Sequence, residues 1–348
     1  MSKIKIGIIG AGGILEAHAP GFNRLKDKCE LIVADPNPNV YPRVRQLFGE
    51  DVEIVSDYKE ILEREDIKAV DILLPHYLHE AVTVEAAERG KHVLIEKVMA
   101  RTVEECDRMI EACDRAGVTL TVCHDRRYDG DWMALKNIID SGELGEIRFW
   151  KLEHNQNVYV PEGNWIRSKE KLGGGAIMSC LTHQIDGLRW YAGEVESVTS
   201  MTQVDAARME GESIGAILAR MRSGALAMLS INWQTQSNHS ANGLWYELNH
   251  VTGTKGEAYY LHGKGTFVKI YGGKSSWVAD SDYTEDGFSR VKADTSLSGH
   301  QVLIEEWLKS LTGEAHTITT DGASSRLTVE VAEAAYISEE QKRVIAIS

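Results

Sequence analysis

Six short apolar runs mark the first third of this 348-residue chain: 3–9, 30–34, 52–55, 69–74, 91–95 and 118–123. The stretches between them carry helical spacing. Strands buried on both faces read as continuous apolar runs, and parallel strands need a crossover of a dozen or more residues, usually a helix. The alternation therefore predicts an α/β domain built on a doubly wound parallel sheet. Punctuation supports the boundaries. Asp57 and Thr102 are placed to cap helices, Gly90 and Gly117 to end them, and Pro75 stops the fourth run.

The pattern changes at 124–128. Helical stretches at 131–140, 176–191, 300–311 and 323–342 surround alternating segments at 197–204, 213–222, 225–233, 245–252, 257–261 and 266–271. Such alternation predicts a large, open, mostly antiparallel sheet. The expected division is a first domain at 1–124 and an α+β domain at 125–348, whose last helix can pack back on the first. A chain of this length suits two cores. An open sheet with one uncovered face also suits a homodimer or homotetramer.

Charge excludes some roles. The 38 basic and 52 acidic residues leave −14, which argues against nucleic acid or an anionic membrane as partner. No apolar run reaches membrane-spanning length, and the start of the chain shows no signal-peptide plan. Five scattered cysteines without a Cys-x-x-Cys pair point to a reducing, cytoplasmic setting.

Chemistry concentrates at strand ends. Gly10-Ala11-Gly12-Gly13-Ile14-Leu15 lies between strand and helix, where backbone N–H groups can meet a pyrophosphate at the positive helix end. Leu15 stands where the full fingerprint has Gly or Ala. Asp35 ends the second run, placed for the adenosine ribose hydroxyls and against a 2′-phosphate, so NAD is expected over NADP. Its plainer reading is a turn residue before Pro36. Val93-Leu94-Ile95-Glu96-Lys97-Val98 brings a carboxylate and a lysine to the carboxyl end of a strand, where open α/β sheets hold ligands.

Further on, Ser179, His183 and Asp186 stand at i, i+4 and i+7, on one face of a helix that follows Gly173-Gly174-Gly175. A satisfied, partly buried histidine competes with a catalytic one here. With Lys97, the set suits alcohol oxidation: His183 takes the hydroxyl proton and the ammonium stabilises the alkoxide. Glu96 either contacts the nicotinamide or pairs with Lys97. His124, Arg127, Asn155, Gln156, Tyr159, Trp165 and Lys171 could line a pocket for a small polyhydroxylated substrate. His18 reads as structural, and no metal is assigned.

Four stretches in order carry a resemblance: Gly10-Ala11-Gly12-Gly13-Ile14, Leu74-Pro75-His76-Tyr77-Leu78-His79, the Gly90–Lys97 run, and Gly173-Gly174-Gly175 with His183-Gln184-Ile185-Asp186. Over nearly its whole length the chain resembles the glucose–fructose oxidoreductase, inositol dehydrogenase and rhizopine-catabolism family. The resemblance implies a Rossmann domain and NAD(P)-dependent oxidation or reduction of a sugar, cyclitol or derivative. It implies that Lys97 and His183 are catalytic, and that Leu74, Pro75, His76 and His79 join the glycine loop and Glu96 around the cofactor. Two positions depart from the family. Val98 replaces the proline of Glu-Lys-Pro, and because a cis bond before valine costs about 2.5–4 kcal/mol a trans peptide is expected. Ser179 replaces an aspartate. Two other functions stay open: a glycosidase that oxidises its sugar transiently with bound NAD, and a non-catalytic sugar-sensing regulator.

Overall fold

The computed structural model describes residues 3–235, 245–285 and 287–347, the side chain of Trp245 excepted. The chain divides into two compact units. One comprises Met1–Asp125 and Ser298–Leu327, the other Arg126–Leu297 and Thr328–Ser348. The segment Ser298–Leu327, placed by sequence in the second domain, thus returns to the first.

The first unit runs β1 (Ile4–Ile9), α1 (Leu15–Arg24), β2 (Cys29–Ala34), α2 (Tyr41–Phe48), β3 (Glu53–Val55), α3 (Tyr58–Leu62), β4 (Ile67–Ile72), α4 (His76–Glu88), β5 (His92–Glu96), α5 (Val103–Ala116) and β6 (Leu120–Cys123). The strands form one parallel sheet in the order β3-β2-β1-β4-β5-β6. Its interior matches the apolar runs: Ile6, Ile8, Val70, Ile72, Val93, Leu94 and Ile95 are all fully buried. Asp57 and Thr102 cap α3 and α5 by accepting backbone N–H bonds, and Gly117 takes the left-handed conformation that ends α5.

The second unit contributes α6 (Gly130–Asp140), β7 (Ile147–Gln156), α7 (Lys169–Leu172), α8 (Thr182–Ala192), β8 (Val195–Val204), β9 (Glu212–Met221), β10 (Leu226–Asn232), β11 (Trp245–Gly253), β12 (Gly256–Leu261), β13 (Gly265–Ile270) and β14 (Ser289–Arg290). Then α9 (Gly299–Thr312) belongs to the first unit, α10 (Gly322–Gln341) crosses the division, and β15 (Ile345–Ala346) closes the chain. The nine-stranded sheet, β14-β13-β12-β11-β7-β10-β9-β8-β15, is antiparallel except where β7 meets β10. One face packs on helices. Trp150 of β7 stacks on Tyr191 of α8 at 5.8 Å, and Tyr191 on Trp132 of α6. Gly187 lets α8 approach that Trp132 ring, which a Cβ would strike. On the opposite face Met201, Leu218, Leu226 and Phe149 stand between 39% and 78% exposed, an apolar strip across β8, β9, β10 and β7 interrupted by Thr199 and Arg220.

Candidate active site

The first unit gathers its polar groups where strand order reverses, at the carboxyl ends of β1, β4 and their neighbours. Such a switch point leaves a crevice above the sheet. Gly10 leaves β1 with φ 99°, and a Cβ there would lie 2.5 Å from the Leu73 carbonyl oxygen. Only glycine makes that turn without strain. A Cβ at Gly12 or Gly13 would meet nothing within 4 Å, so their role is to leave backbone accessible beside Ile14 and the start of α1.

Asp35, just past β2, braces this loop. Its Oδ2 accepts the Ala11 N–H at 2.7 Å and its Oδ1 accepts the Asn37 N–H at 2.9 Å. Arg43, on α2, clasps the same loop by donating to the carbonyls of Ala11 and Gly12. Sequence reasoning passed over Arg43, because nothing in its spacing links a helix face to a loop thirty residues earlier.

At the end of β5, Glu96 is buried and Lys97 half-buried. Glu96 Oε2 accepts the backbone N–H of Lys97 at 3.1 Å, while Oε1 meets His18 Nε2 at 2.9 Å. His18 Nδ1 meets Asp71 Oδ2 at 2.8 Å. Burial opposes charge on His18, but Asp71 and Glu96 outweigh it and raise the imidazole to about 10. Burial likewise opposes charge on Glu96, yet His18 and His300 hold it well below the usual carboxylate range. Asp71 is pushed upward by its burial.

The Lys97–Val98 peptide is cis, against the trans form expected before valine. His79 is fully buried. Its Nδ1 meets the Val98 carbonyl at 2.8 Å and its Nε2 the Leu74 carbonyl at 2.7 Å. It ties the loop after β4 to the loop after β5, which corrects the expectation of a direct cofactor contact. Its neighbour His76 starts α4 after Pro75, 5% exposed, with the two imidazoles 5.5 Å apart.

In the second unit the expected helix from 176 begins with a π-helical turn, Ile177–Leu181, before α8. The widened turn alters the stripe drawn at α-helical spacing. Ser179 and His183 are half-buried, and the His183 ring lies parallel to His154 of β7 at 6.2 Å. Asp186 is instead buried and holds Arg127 at 2.8 and 2.6 Å, with Thr328 at 3.2 Å. Arg127, 6% exposed, is therefore a structural partner of Asp186 and not the substrate contact expected of it.

Strand parity corrects another expectation. Trp150, Leu152 and His154 turn to the helical face of β7, so Asn155 turns the other way, with Lys151 and Glu153. Gln156 stays on the His183 side, its Oε1 3.9 Å from Cys180 Sγ. Tyr159 is 75% exposed and Trp165 half-buried in a short turn, whereas His124, at 1%, sits inside the first unit. Lys171 is exposed on α7. Glu247, absent from the sequence reading, is fully buried on β11 opposite His154, with Gln184 at 2.8 Å and Arg126 at 3.3 Å. A glutamate in an alternating strand gives no sign of which face is buried.

Residues 4–124 match the family described as an oxidoreductase family with an NAD-binding Rossmann fold. Residues 132–259 match the GFO/IDH/MocA C-terminal domain. The chain belongs to the GFO/IDH/MocA family. Its first unit is that family's NAD-binding domain, and its large sheet belongs to the second. Levoglucosan dehydrogenase of Pseudarthrobacter phenanthrenivorans is 28% identical over 58% of the chain, and the match spans 54%, about half, of that relative. The scyllo-inositol 2-dehydrogenase (NADP(+)) of Bacillus subtilis is 28% identical over 78% of the chain and 70% of its own length. A WlbA dehydrogenase from Bordetella pertussis, solved with NADH and UDP-GlcNAcA, superposes at a TM-score of 0.84. It is 25% identical, with 99% of this chain and 98% of that one covered.

Proposed function

We propose that this family member is an NAD-dependent dehydrogenase that moves hydride between nicotinamide and a secondary hydroxyl or keto group of a sugar, cyclitol or glycoside. The observation that carries the reading is the set Gly10–Ile14, Asp35 and Lys97, held at the carboxyl ends of β1, β2 and β5 in a sheet of this strand order. Family membership and the dehydrogenases among the relatives support it.

The reaction needs three services. The glycine loop offers backbone N–H groups to the pyrophosphate, and Asp35 offers oxygens to ribose hydroxyls. Bound NAD supplies the hydride acceptor. Lys97 hydrogen-bonds the substrate oxygen as it gains charge, and His183 accepts the hydroxyl proton. Gln156 and Trp165 supply polar and aromatic surface for a polyhydroxylated ring, with Tyr159 on the exposed loop after β7. We further infer that copies associate as a homodimer or homotetramer through the apolar strip of the large sheet. The five free thiols suit a cytoplasmic setting, and no described helix is long and apolar enough to cross a membrane.

Screening purified protein for NADH formation on inositols, aldoses and glycosides tests the reading. NADH must rise with at least one of them. Release of free sugar from a glycoside without net NADH would replace it with the transient-oxidation mechanism.

A further inference from the structure

The corner behind Lys97 is an alternating chain of acids and bases. Asp71 of β4 meets His18 of α1 at 2.8 Å, and His18 meets Glu96 at 2.9 Å. Glu96 Oε1 also lies 3.6 Å from His300 Nε2 on α9, and His300 Nδ1 lies 3.4 Å from Asp125. The two imidazoles sit 5.1 Å apart, tilted 59°. Asp71 and His18 are fully buried, Glu96 is 6% exposed and Asp125 3%. Five separate pieces of backbone are needed to assemble this chain, and only its His300 end approaches solvent.

A carboxylate in such a place ionises only if neighbouring charges and hydrogen bonds offset its lost hydration. His18 and His300 provide that offset on Oε1. Oε2 accepts the backbone N–H of Lys97. An ionised acceptor makes a shorter and stronger bond than a neutral one. The link from His18 to the backbone that carries the Lys97 ammonium thus passes through one atom group.

We propose that His18 is a positioning residue for the reaction: as an imidazolium it holds Glu96 ionised and fixed, and Glu96 holds the backbone from which Lys97 reaches the substrate. The proposal rests on the assignment of Lys97 above. His18 touches neither substrate nor cofactor in this scheme. Without it, Glu96 takes up a proton or turns, its bond to Lys97 weakens, and the ammonium loses its aim. A displacement of about 1 Å can cost about 10²-fold in rate.

The same corner contains His18, Glu96, Cys123 and His300, each with one ligand atom within 4.8 Å of the others. A metal ion there would have to take the place of the proton between His18 Nε2 and Glu96. The two arrangements are exclusive, and metal content separates them.

The test is a double-mutant cycle of His18→Gln with Lys97→Ala, read as kcat and as NAD affinity. Alone, His18→Gln is expected to lower kcat about 10²-fold and to leave NAD affinity little changed. On the Lys97→Ala background it should cause no further loss, because its action runs through Lys97. A merely structural His18 would lower both backgrounds by the same factor, and that additivity overturns the proposal. Normal turnover of Lys97→Ala itself would instead overturn the Lys97 assignment. Should His18→Gln fail to fold, His300→Gln at the solvent end of the chain takes its place, with a smaller loss and the same non-additivity. A readout independent of turnover is the nitrogen NMR of His18, which should show both ring nitrogens protonated at pH 8. A stoichiometric zinc ion in the purified protein, or a singly protonated His18 ring, would overturn the proposal.

Discussion

The Asp35 carboxylate lies 2.7 Å from the backbone nitrogen of Ala11, so the acid proposed to bind the ribose also shapes the glycine loop. Asp35→Ser removes a charge that repels a 2′-phosphate and loosens the loop together. The wild type is expected to favour NAD over NADP in kcat/KM, and the variant to narrow that preference while losing some activity with NAD. Equal use of both cofactors by the wild type would refute the role, and the NADP-named relative makes the comparison worth running.

In the proposed reaction Lys97 acts mainly as the alkoxide develops. Lys97→Ala should therefore lower kcat by about 10²–10³-fold, the range for loss of one preorganised donor. NAD binding, measured by calorimetry, should change far less. Near-normal turnover would leave Lys97 with a structural role only.

Ser179 sits one turn before His183 and brings no charge. Ser179→Asp would place a carboxylate there and favour the imidazolium. The acidic limb of the kcat/KM profile should then move to higher pH. His183→Ala should stay inactive with or without it, because an acid that tunes a base cannot replace it. An unmoved limb would mean that another group takes the proton.

Arg127 and Asp186 should register in stability and not in substrate affinity. Asp186→Asn removes the charge that faces a guanidinium 6% exposed, and breaking a buried ion pair by removing one charge costs about 3–5 kcal/mol. Thermal melting should fall markedly while KM of the folded fraction stays close to wild type. A changed KM with an unchanged melting temperature would restore Arg127 to the substrate site.

The raised His18 imidazole has a signature in stability. Its folded value of about 10 stands above the ordinary value near 6.5 because Asp71 and Glu96 overcome the cost of burial. The stabilisation is fully present below about pH 6.5 and is lost as pH rises through 10. The melting-temperature gap between wild type and His18→Gln should be widest at and below about pH 6.5, shrink as pH rises above that and close toward pH 10. A gap that is constant over this window would place the raised value in doubt.

What could be read in advance follows the reach of each signal. The parallel sheet was legible because burial on both faces writes itself as six apolar runs, and Asp57, Thr102 and Gly117 cap as local chemistry dictates. The position of Glu96 and Lys97 at a strand end was legible, because an apolar run stops at them. The site was not legible where partners are distant in sequence. Alternation in β7 shows that His154 and Asn155 face apart, but only α8 reveals which face is inward. Asp186 fits the stripe of Ser179 and His183 until Arg127 claims it. The π-helical turn at Ile177–Leu181 leaves no periodic trace. His18 reads as an ordinary helix residue because Asp71, Glu96 and His300 are supplied by three other elements.

The split make-up of the first unit has a consequence for synthesis on the ribosome. Gly21 of α1 packs closely beneath Ile304 of α9, so that flank of α1 is not covered until residues near 300 emerge. At about 5–20 residues per second, the intervening 126–297 take roughly ten to thirty seconds to make. During that interval the nascent first unit carries a bare apolar flank and a Glu96 without His300. The second unit is then complete but for its last segment, so folding of the two is interleaved and not sequential. Cutting the gene after residue 125 would fix that exposed state permanently. The nucleotide-binding unit is therefore inherited as one piece with the Ser298–Leu327 segment.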